Sequence, residues 1–476
     1  MNKVIQNMKA NPSNLLMLLI ALAFPIVYLN LFSSSFISWD DAEYVLENRD
    51  VHDFNFTNFF TKFYIGNYHP LTMLSFAIDW KIFGNAACGY HIENSVWHFA
   101  NTLLVFIICN KLLNNTIKAF IVALIFAFHP TQIETVAWIA ERKNVMTAFF
   151  FLSSVIVYLQ FLKTQKKHFF ILTFLLFLLA LLCKPSAIVL PLVLCAIDYF
   201  YKHSFTKQQL IQKIPFFSLA ILFSIIAYNA QESGKFINSN HAYPLYERVG
   251  YAGYAVLQYI NKSFLPINLS VIYPYPQNKG GSIVIGYGVI LILGLVLHQL
   301  FKRKKYNVLF GLLFFIINLI LVLQFVPFGE VLTADRYLYL PLIGIGIVIV
   351  SLISVTQKQL KYISFILLIV LGGLSFARTS VWKNSIFLYS DILKKYPHSF
   401  VALNSLGAEY MLNKQYNLAM PYLNSAINEN TNYYKGYYNR GLLYAQTNRF
   451  DRALADFNKA IELNKYPKAY VARANV

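Results

Sequence analysis

Residues 128–145 run FHPTQIETVAWIAERKNV, placing a histidine, two glutamates, an arginine and a lysine between two apolar stretches. His129-Pro130 ends the stretch before them. Proline suits the first position of a helix, so 131–142 is predicted to be a short helix. On it Glu134, Trp138 and either Glu141 or Arg142 recur at helical spacing and share a face. Charge this dense at a membrane edge is costly unless it meets a ligand or its own kind. His129, Arg142 and Lys143 are therefore candidate contacts for an anionic group, with Glu134 beside them. The ordinary alternative is a solvated, well-capped loop.

Further chemistry-bearing residues stand where other apolar runs end. Asp40 and Asp41 directly follow the first run, with Glu43 just beyond. Paired carboxylates there suit a general base or a divalent-metal ligand; helix capping is the alternative. His69 precedes Pro70, so it is predicted in an extended corner, where it could meet a phosphate. Thr72, Ser75 and Asp79 make a thin polar stripe, as on a helix lying in an interface. His91, Asn94, His98 and Asn101 form a second stripe at the head of the second span, which must face protein or water. His98 and Asn101 suit hydrogen bonds between helices, and His91 is near enough to the surface to reach a site. Lys184, in the tight Lys184-Pro185 joint, has an anionic headgroup or lipid phosphate as its natural partner. Tyr273 and Tyr275 alternate with prolines, which favours a rigid extended lip whose rings stack on sugars or join an aromatic belt. Asp335 is expected to pair with other groups of the cluster, and Arg336 is suited to clamp a phosphate.

The elements that must position these groups follow from composition. A chain of 476 residues that is 57% hydrophobic and only 13% charged is an all-α, polytopic membrane protein rather than one large soluble core. Candidate spans are 14–32, 95–111, 117–129, 145–162, 168–183, 186–201, 214–229, 283–301, 306–324, 337–356 and 361–377, about eleven in all. The first is too long for a signal-peptide core and is expected to stay as a span. Segment 249–265, with Gln258, Asn261 and Lys262, is too polar for an easy one. The net charge of +19 does not point to nucleic acid, because the cations sit in short loops. Place Lys3 and Lys9 inside. Lys111, Lys118, Lys163, Lys166, Lys167, Lys202, Lys207, Lys213, the run 302–305, Lys358 and Lys361 then fall inside too, provided 249–265 does not cross. That segment is accordingly predicted to be re-entrant or interfacial, and every candidate above falls on the outer face. The four cysteines show no CxxC spacing and imply neither a disulfide frame nor a zinc site.

After residue 378 the composition becomes that of a soluble domain. Gly407, Tyr410 and Ala419 match Gly441, Tyr444 and Ala453 at a spacing of 34; Tyr416 matches Phe450, and Ala426 matches Ala460. This is the period of tetratricopeptide repeats, and 379–476 is predicted to be a repeat solenoid whose groove takes a protein or peptide. The membrane part is 1–378, with long outer loops 33–94 and 230–282.

The runs FAFHPTQIETVAWIAERKNVM, LLCKPSAIVLPLVLCAIDY, NLSVIYPYP and ADRYLYLPLIG, with HPLTMLSF and GYHIENSVWHFAN, resemble a bacterial family of membrane proteins with C-terminal tetratricopeptide repeats. These in turn resemble the eukaryotic transmembrane-and-tetratricopeptide-repeat O-mannosyltransferases. The resemblance implies a GT-C glycosyltransferase architecture and a polyprenyl-phosphate-linked sugar as donor. It further implies transfer to a Ser or Thr hydroxyl of an exported protein, outside the cytoplasm of a bacterial inner membrane, with the repeats in the periplasm. It maps the base onto Asp40 or Asp41, and makes His129, Arg142, Lys143, Lys184 and Arg336 candidates for the donor phosphate. His69 stands where eukaryotic members often carry Arg before Pro-Leu-Thr, and ERK stands where they read more like GRA. A divalent metal on Asp40 and Asp41 is an option the chemistry does not require, since the leaving group is already an anion. The competing expectations are a lipid-linked-sugar flippase, which should carry charges deep in its spans, and a membrane-anchored repeat scaffold, which would not need so many acids and bases.

Overall fold

The computed structural model describes residues 12–234, 243–276, 278–323, 325 and 331–476; Lys3 and Lys9 lie outside them. The chain divides into two units, Met1–Ser34 with Asp40–Thr379, and Ser35–Trp39 with Ser380–Val476.

The first unit is built of helices. α1 (Pro12–Val27) leads through short helical turns at Leu29–Ser33, Ala42–Leu46, Arg49–His52 and Phe56–Thr61 to α2 (Pro70–Phe83), then α3 (Ala87–Leu113), α4 (Thr116–Phe128), α5 (Gln132–Ala137) and α6 (Arg142–Thr164). α7 (Lys167–Cys183), α8 (Leu190–Lys202), α9 (Lys207–Ser233) and α10 (Leu245–Phe264) follow, then α11 (Lys279–Lys302), α12 (Tyr306–Leu319), α13 (Pro341–Leu352) and α14 (Gln357–Thr379). Among the described residues, seven helices are long and apolar enough to cross a membrane, and four shorter apolar ones accompany them. The chain is thus a multi-pass membrane protein. α4 is short because it is central: every residue from Ala119 to Phe128 is buried, so protein surrounds it. α11 is the opposite case, with Val284, Leu291, Ile292 and Leu295 exposed, as suits a helix facing lipid.

Contacts between loops define two faces. On one, Lys118 Nζ donates to the Ile353 carbonyl at 3.2 Å, His203 stacks on Tyr306 at 3.7 Å, and Tyr199 stacks on Phe301. This lysine face collects the loops after α3, α8, α11 and α13. The other face carries Asp40. α10, the over-polar segment, has both ends near groups of the Asp40 face: Arg248 donates to the Phe325 carbonyl, and the Ser263 carbonyl meets His129. Gly253 and Gly286 let α10 and α11 touch backbone to backbone; a Cβ at either would overlap the other helix.

The second unit comprises α15 (Ser385–Lys395), α16 (Phe400–Leu412), α17 (Tyr416–Glu429), α18 (Tyr434–Gln446), α19 (Phe450–Leu463) and α20 (Pro467–Ala474). The repeated small residues are its packing points. Gly407 faces Leu423, Gly441 faces Phe457, and Ala419, Ala426, Ala453 and Ala460 are fully buried. Residues 35–39 join this unit: the Ser35 amide donates to the Lys383 carbonyl and the Ser38 amide to Ser385 Oγ.

Candidate active site

The connection 128–145 is not one helix. α5 ends at Ala137, Trp138 is extended, Ile139–Glu141 forms a 3-10 turn, and Arg142 opens α6. Side chains from elsewhere hold this break. Asn94 Nδ2 donates to the carbonyls of Val136 and Trp138 at 3.3 and 3.1 Å. Asp41 Oδ1 accepts from the Ala140 amide at 2.8 Å. Buried backbone groups that leave a helix need such partners, and nothing local in the sequence announces them.

The break separates two cations that are neighbours in sequence. Successive residues on a helix point about 100° apart. Arg142 turns inward and is fully buried. It pairs with Asp79 Oδ2 of α2 at 2.9 Å and with Glu93 Oε2 of α3 at 2.8 Å, and donates to Asn94 Oδ1 and to the Tyr90 carbonyl. It clamps helices together and is not among the residues facing the cavity described next. Lys143 turns the other way, its Nζ 4.8 Å from the centre of the Tyr44 ring.

Lys143, Lys184 and Arg336 line a cavity of about 430 Å³ together with Asp40, Trp138, Glu141 and Asn144. That is the size of a small-molecule site. Glu141 is their shared counter-ion, 3.6 Å from Lys143, 3.7 Å from Lys184 and 3.8 Å from Arg336. Lys184 also donates to Asn144 Oδ1 at 2.7 Å, and Arg336 pairs with Glu134 Oε1 at 2.5 Å. Burial, with Lys143 and Arg336 nearby, lowers the Lys184 pKa to about 8, against the pull of Glu141. Burial raises that of Glu134 to about 7, with Arg336 opposing. An anion entering the cavity would relieve the crowding of cations. Ile188, Val189, Ala227, Leu321 and Val322 form an apolar part of the remaining wall, and Thr147, Ser186, Gln231 and Asn318 a polar part.

The adjacent aspartates also part company. Asp41 is buried with its carboxylate on the Ala140 amide, whereas Asp40 lines the cavity and its charge is felt by Tyr44. Burial, more than the neighbouring charges, pushes the Tyr44 hydroxyl up to about 12.

The other candidates lie around this centre. His69 is buried beside the Tyr44 ring, 5.2 Å between centroids; burial first, then Lys143 and Lys184, hold it neutral, well below its usual pKa. Its neighbours Asn67 and Tyr68 line the cavity, and Thr72 Oγ1 donates to the Cys183 carbonyl, fixing the chain just before Lys184. His129 points away. Its Nδ1 is 2.7 Å from Thr131 Oγ1 and its Nε2 3.2 Å from the Ser263 carbonyl. Burial lowers its pKa to about 4, so it brings no positive charge. His91 is buried in the second turn of α3, and Glu43 is exposed away from the cavity.

The Pro-Tyr stretch is not a free lip. β1 (Tyr273–Pro274) pairs antiparallel with β2 (Val331–Thr333), which turns Tyr273 inward. Its hydroxyl donates to Asp335 Oδ1 at 2.8 Å, Lys262 pairs with the same carboxylate at 3.2 Å, and Tyr275 packs on Tyr243 and Tyr251. None of residues 249–265 lines the cavity, because α10 is taken up by α11 and by this cluster. The second-span stripe serves packing: His98 Nδ1 lies 2.8 Å from the Tyr339 hydroxyl, and Asn101 Nδ2 donates to the Val145 carbonyl. Among the described residues, no three His, Cys, Asp or Glu side chains are grouped as a metal ion would need.

Glu141 was expected only as an alternative to Arg142 on the helix face, and neither it nor Asn144 was among the expected ligand contacts. Their signal was present as Glu-x-x-Asn around Lys143, but only the break at Trp138 shows which face they take.

Comparison with known proteins agrees with this architecture. Residues 434–466 match the tetratricopeptide repeat model. Over 427 residues the chain is 25% identical to protein O-mannosyl-transferase F38B6.6 of Caenorhabditis elegans, covering 82% of this chain and 59% of the worm protein. Over 188 residues it is 32% identical to protein O-mannosyl-transferase Tmtc1 of Drosophila melanogaster, covering 37% of this chain and 22% of the fly protein. It is 26% identical over 186 residues to protein O-mannosyl-transferase TMTC3 of Mus musculus, covering 36% of this chain and 20% of that protein. The chain therefore spans less than two thirds of each of these relatives. No solved structure matches it. The chain is related to these protein O-mannosyl-transferases and ends, as resemblance implied, in tetratricopeptide repeats.

Proposed function

We propose that this protein is a membrane glycosyltransferase moving a sugar from a polyprenyl-phosphate donor to a Ser or Thr hydroxyl of an exported protein. The observation that carries the reading is that Asp40 shares one cavity with Lys143, Lys184 and Arg336. The relatives' names support the class of reaction. Asp40 takes the hydroxyl proton as the oxygen attacks the anomeric carbon. The new C–O bond forms while the bond to the phosphate oxygen breaks. Positive charge builds on the sugar, as in glycoside chemistry generally. The departing phosphate gains negative charge, which Lys143, Lys184 and Arg336 stabilise; fixed cations in a dry site do this well. Asp41 and Arg142 position these groups by holding the Trp138–Glu141 break and the start of α6. The apolar wall of the cavity takes the first isoprene units. The charge pattern of the loops supports a reading with this face outside the cytoplasm, and the repeats present the acceptor.

The test uses the full chain in liposomes with a short-chain polyprenyl-phosphate mannose and a Ser/Thr-rich peptide outside. Glycopeptide is the expected product. Lipid crossing the bilayer with no glycoside formed would replace this reading with a flippase.

A further inference from the structure

The membrane unit holds a second cavity, of about 470 Å³, on the lysine face. Three successive loops of that face meet there. Lys111 comes from the end of α3, Lys163 from the end of α6 and Lys202 from the end of α8; all three are exposed. Charge counting explains why loops on one face carry lysines, but not why lysines far apart in sequence rim one hollow.

The floor adds a second, independent observation. Gln209 lines the cavity and is only 4% exposed. Its Oε1 is used by the Thr206 amide and hydroxyl at the start of α9, while its Nε2 is buried without a hydrogen-bond partner. A buried amide donor left unpaired is costly. Asp198, the one acid in the lining, is already neutralised: Lys213 Nζ lies 2.5 Å from Oδ2 and the Tyr158 hydroxyl donates to Oδ1 at 2.5 Å. The cavity is therefore rimmed by three cations, has an unpaired amide donor buried within one of its lining residues, and carries no uncompensated negative charge in its lining. Leu159, Leu162 and Tyr201 supply an apolar side.

We propose that this cavity binds a phosphate group, presented by an anionic lipid headgroup or as free phosphate, on the face opposite the candidate active site. Lysines at a membrane surface attract anionic lipid one by one; here they converge on a single group, and Gln209 Nε2 completes its coordination. The inference is independent of the proposed transfer reaction.

The test is equilibrium binding to the full-length protein in phosphatidylcholine nanodiscs, with inorganic phosphate and dihexanoyl phosphatidylglycerol as separate probes. Saturable binding of either supports the site, and which one binds identifies the source. The triple change Lys111→Gln, Lys163→Gln, Lys202→Gln should weaken binding on the order of 100-fold, from about fivefold per lysine. The same charge change at Lys166, Lys167 and Lys207, which lie outside the cavity lining, should cost less than about threefold. Gln209→Glu keeps the cap on α9 but removes the donor, and should weaken binding at least about tenfold; it carries the test should the triple variant fail to fold. Equal losses in the two triple variants, no loss in Gln209→Glu, or no saturable binding of either probe would overturn the proposal.

Discussion

Arg142 and Lys143 are adjacent in the chain and do opposite things. Around Arg142 the partners are full: two carboxylates within 2.9 Å, a side-chain amide and a backbone carbonyl, with the guanidinium itself fully buried. Around Lys143 they are short. Three cations share Glu141 at 3.6 to 3.8 Å and look into a cavity. A closed cluster stabilises the fold. An open one carries charge that a ligand can complete; within it the pKa of Lys184 is lowered, by burial first, whereas that of Lys143 is raised against its burial by Tyr44, Glu141 and Asp40. The aspartate pair takes two places as well, with Asp41 held on the Ala140 amide and Asp40 in the cavity lining.

Variants on the two sides of this divide should fail differently. Asp40→Asn should lower turnover on the order of 10²–10⁴-fold while leaving thermal unfolding in detergent almost unchanged. Arg142→Met should do the reverse. Stranding Asp79 and Glu93 should cost about 3–5 kcal/mol of stability, seen as a large fall in the unfolding temperature, with activity lost only as the fold is lost. Lys184→Gln should reduce kcat on the order of 10²-fold and leave the protein folded. A stability loss from Lys184→Gln as large as that from Arg142→Met would erase the distinction.

The titration of Lys184 gives a finer test. Its pKa in the folded chain, about 8, lies below its ordinary 10.5, so folding disfavours its protonated form. Its penalty to stability is full below pH 8 and fades as pH rises from there towards 10.5. Donor binding runs the other way. It should weaken as pH passes upward through about 8 and the charge is lost, and binding the donor should take up a proton in that range. Donor affinity measured against pH should show this step in the wild type and none in Lys184→Gln. The smallest effect belongs to Glu43→Gln, an exposed position away from the cavity, which should change stability by no more than about 0.5 kcal/mol and turnover not at all.

Much of this was legible in the sequence, for a physical reason in each case. Spans show as apolar runs because lipid demands them, and the repeats show because packing the same helix pair requires glycine and alanine at Gly407, Gly441, Ala419 and Ala453. Lys184 and Arg336 were readable because a cation at the end of a span must have a partner. What stayed hidden was direction. Arg142 and Lys143 have the same charge and the same address, and their divergence is fixed by Asn94 and Asp41, 48 and 99 residues from their partners in the chain. Tyr273 resembled a surface aromatic until the pairing of β1 with β2 turned it onto Asp335. Residues 35–39 gave no sign that they join the repeat unit, because their contacts lie more than 340 residues away.

The most direct test is a single-turnover measurement of sugar transfer from pre-bound polyprenyl-phosphate donor, comparing wild type, Asp40→Asn and Asp41→Asn. Asp41→Asn keeps an oxygen for the Ala140 amide and should retain most of its rate. Asp40→Asn should bind donor normally and transfer on the order of 10²–10⁴ times more slowly. Full-rate transfer by Asp40→Asn, with Asp41→Asn inactive yet folded, would contradict the account.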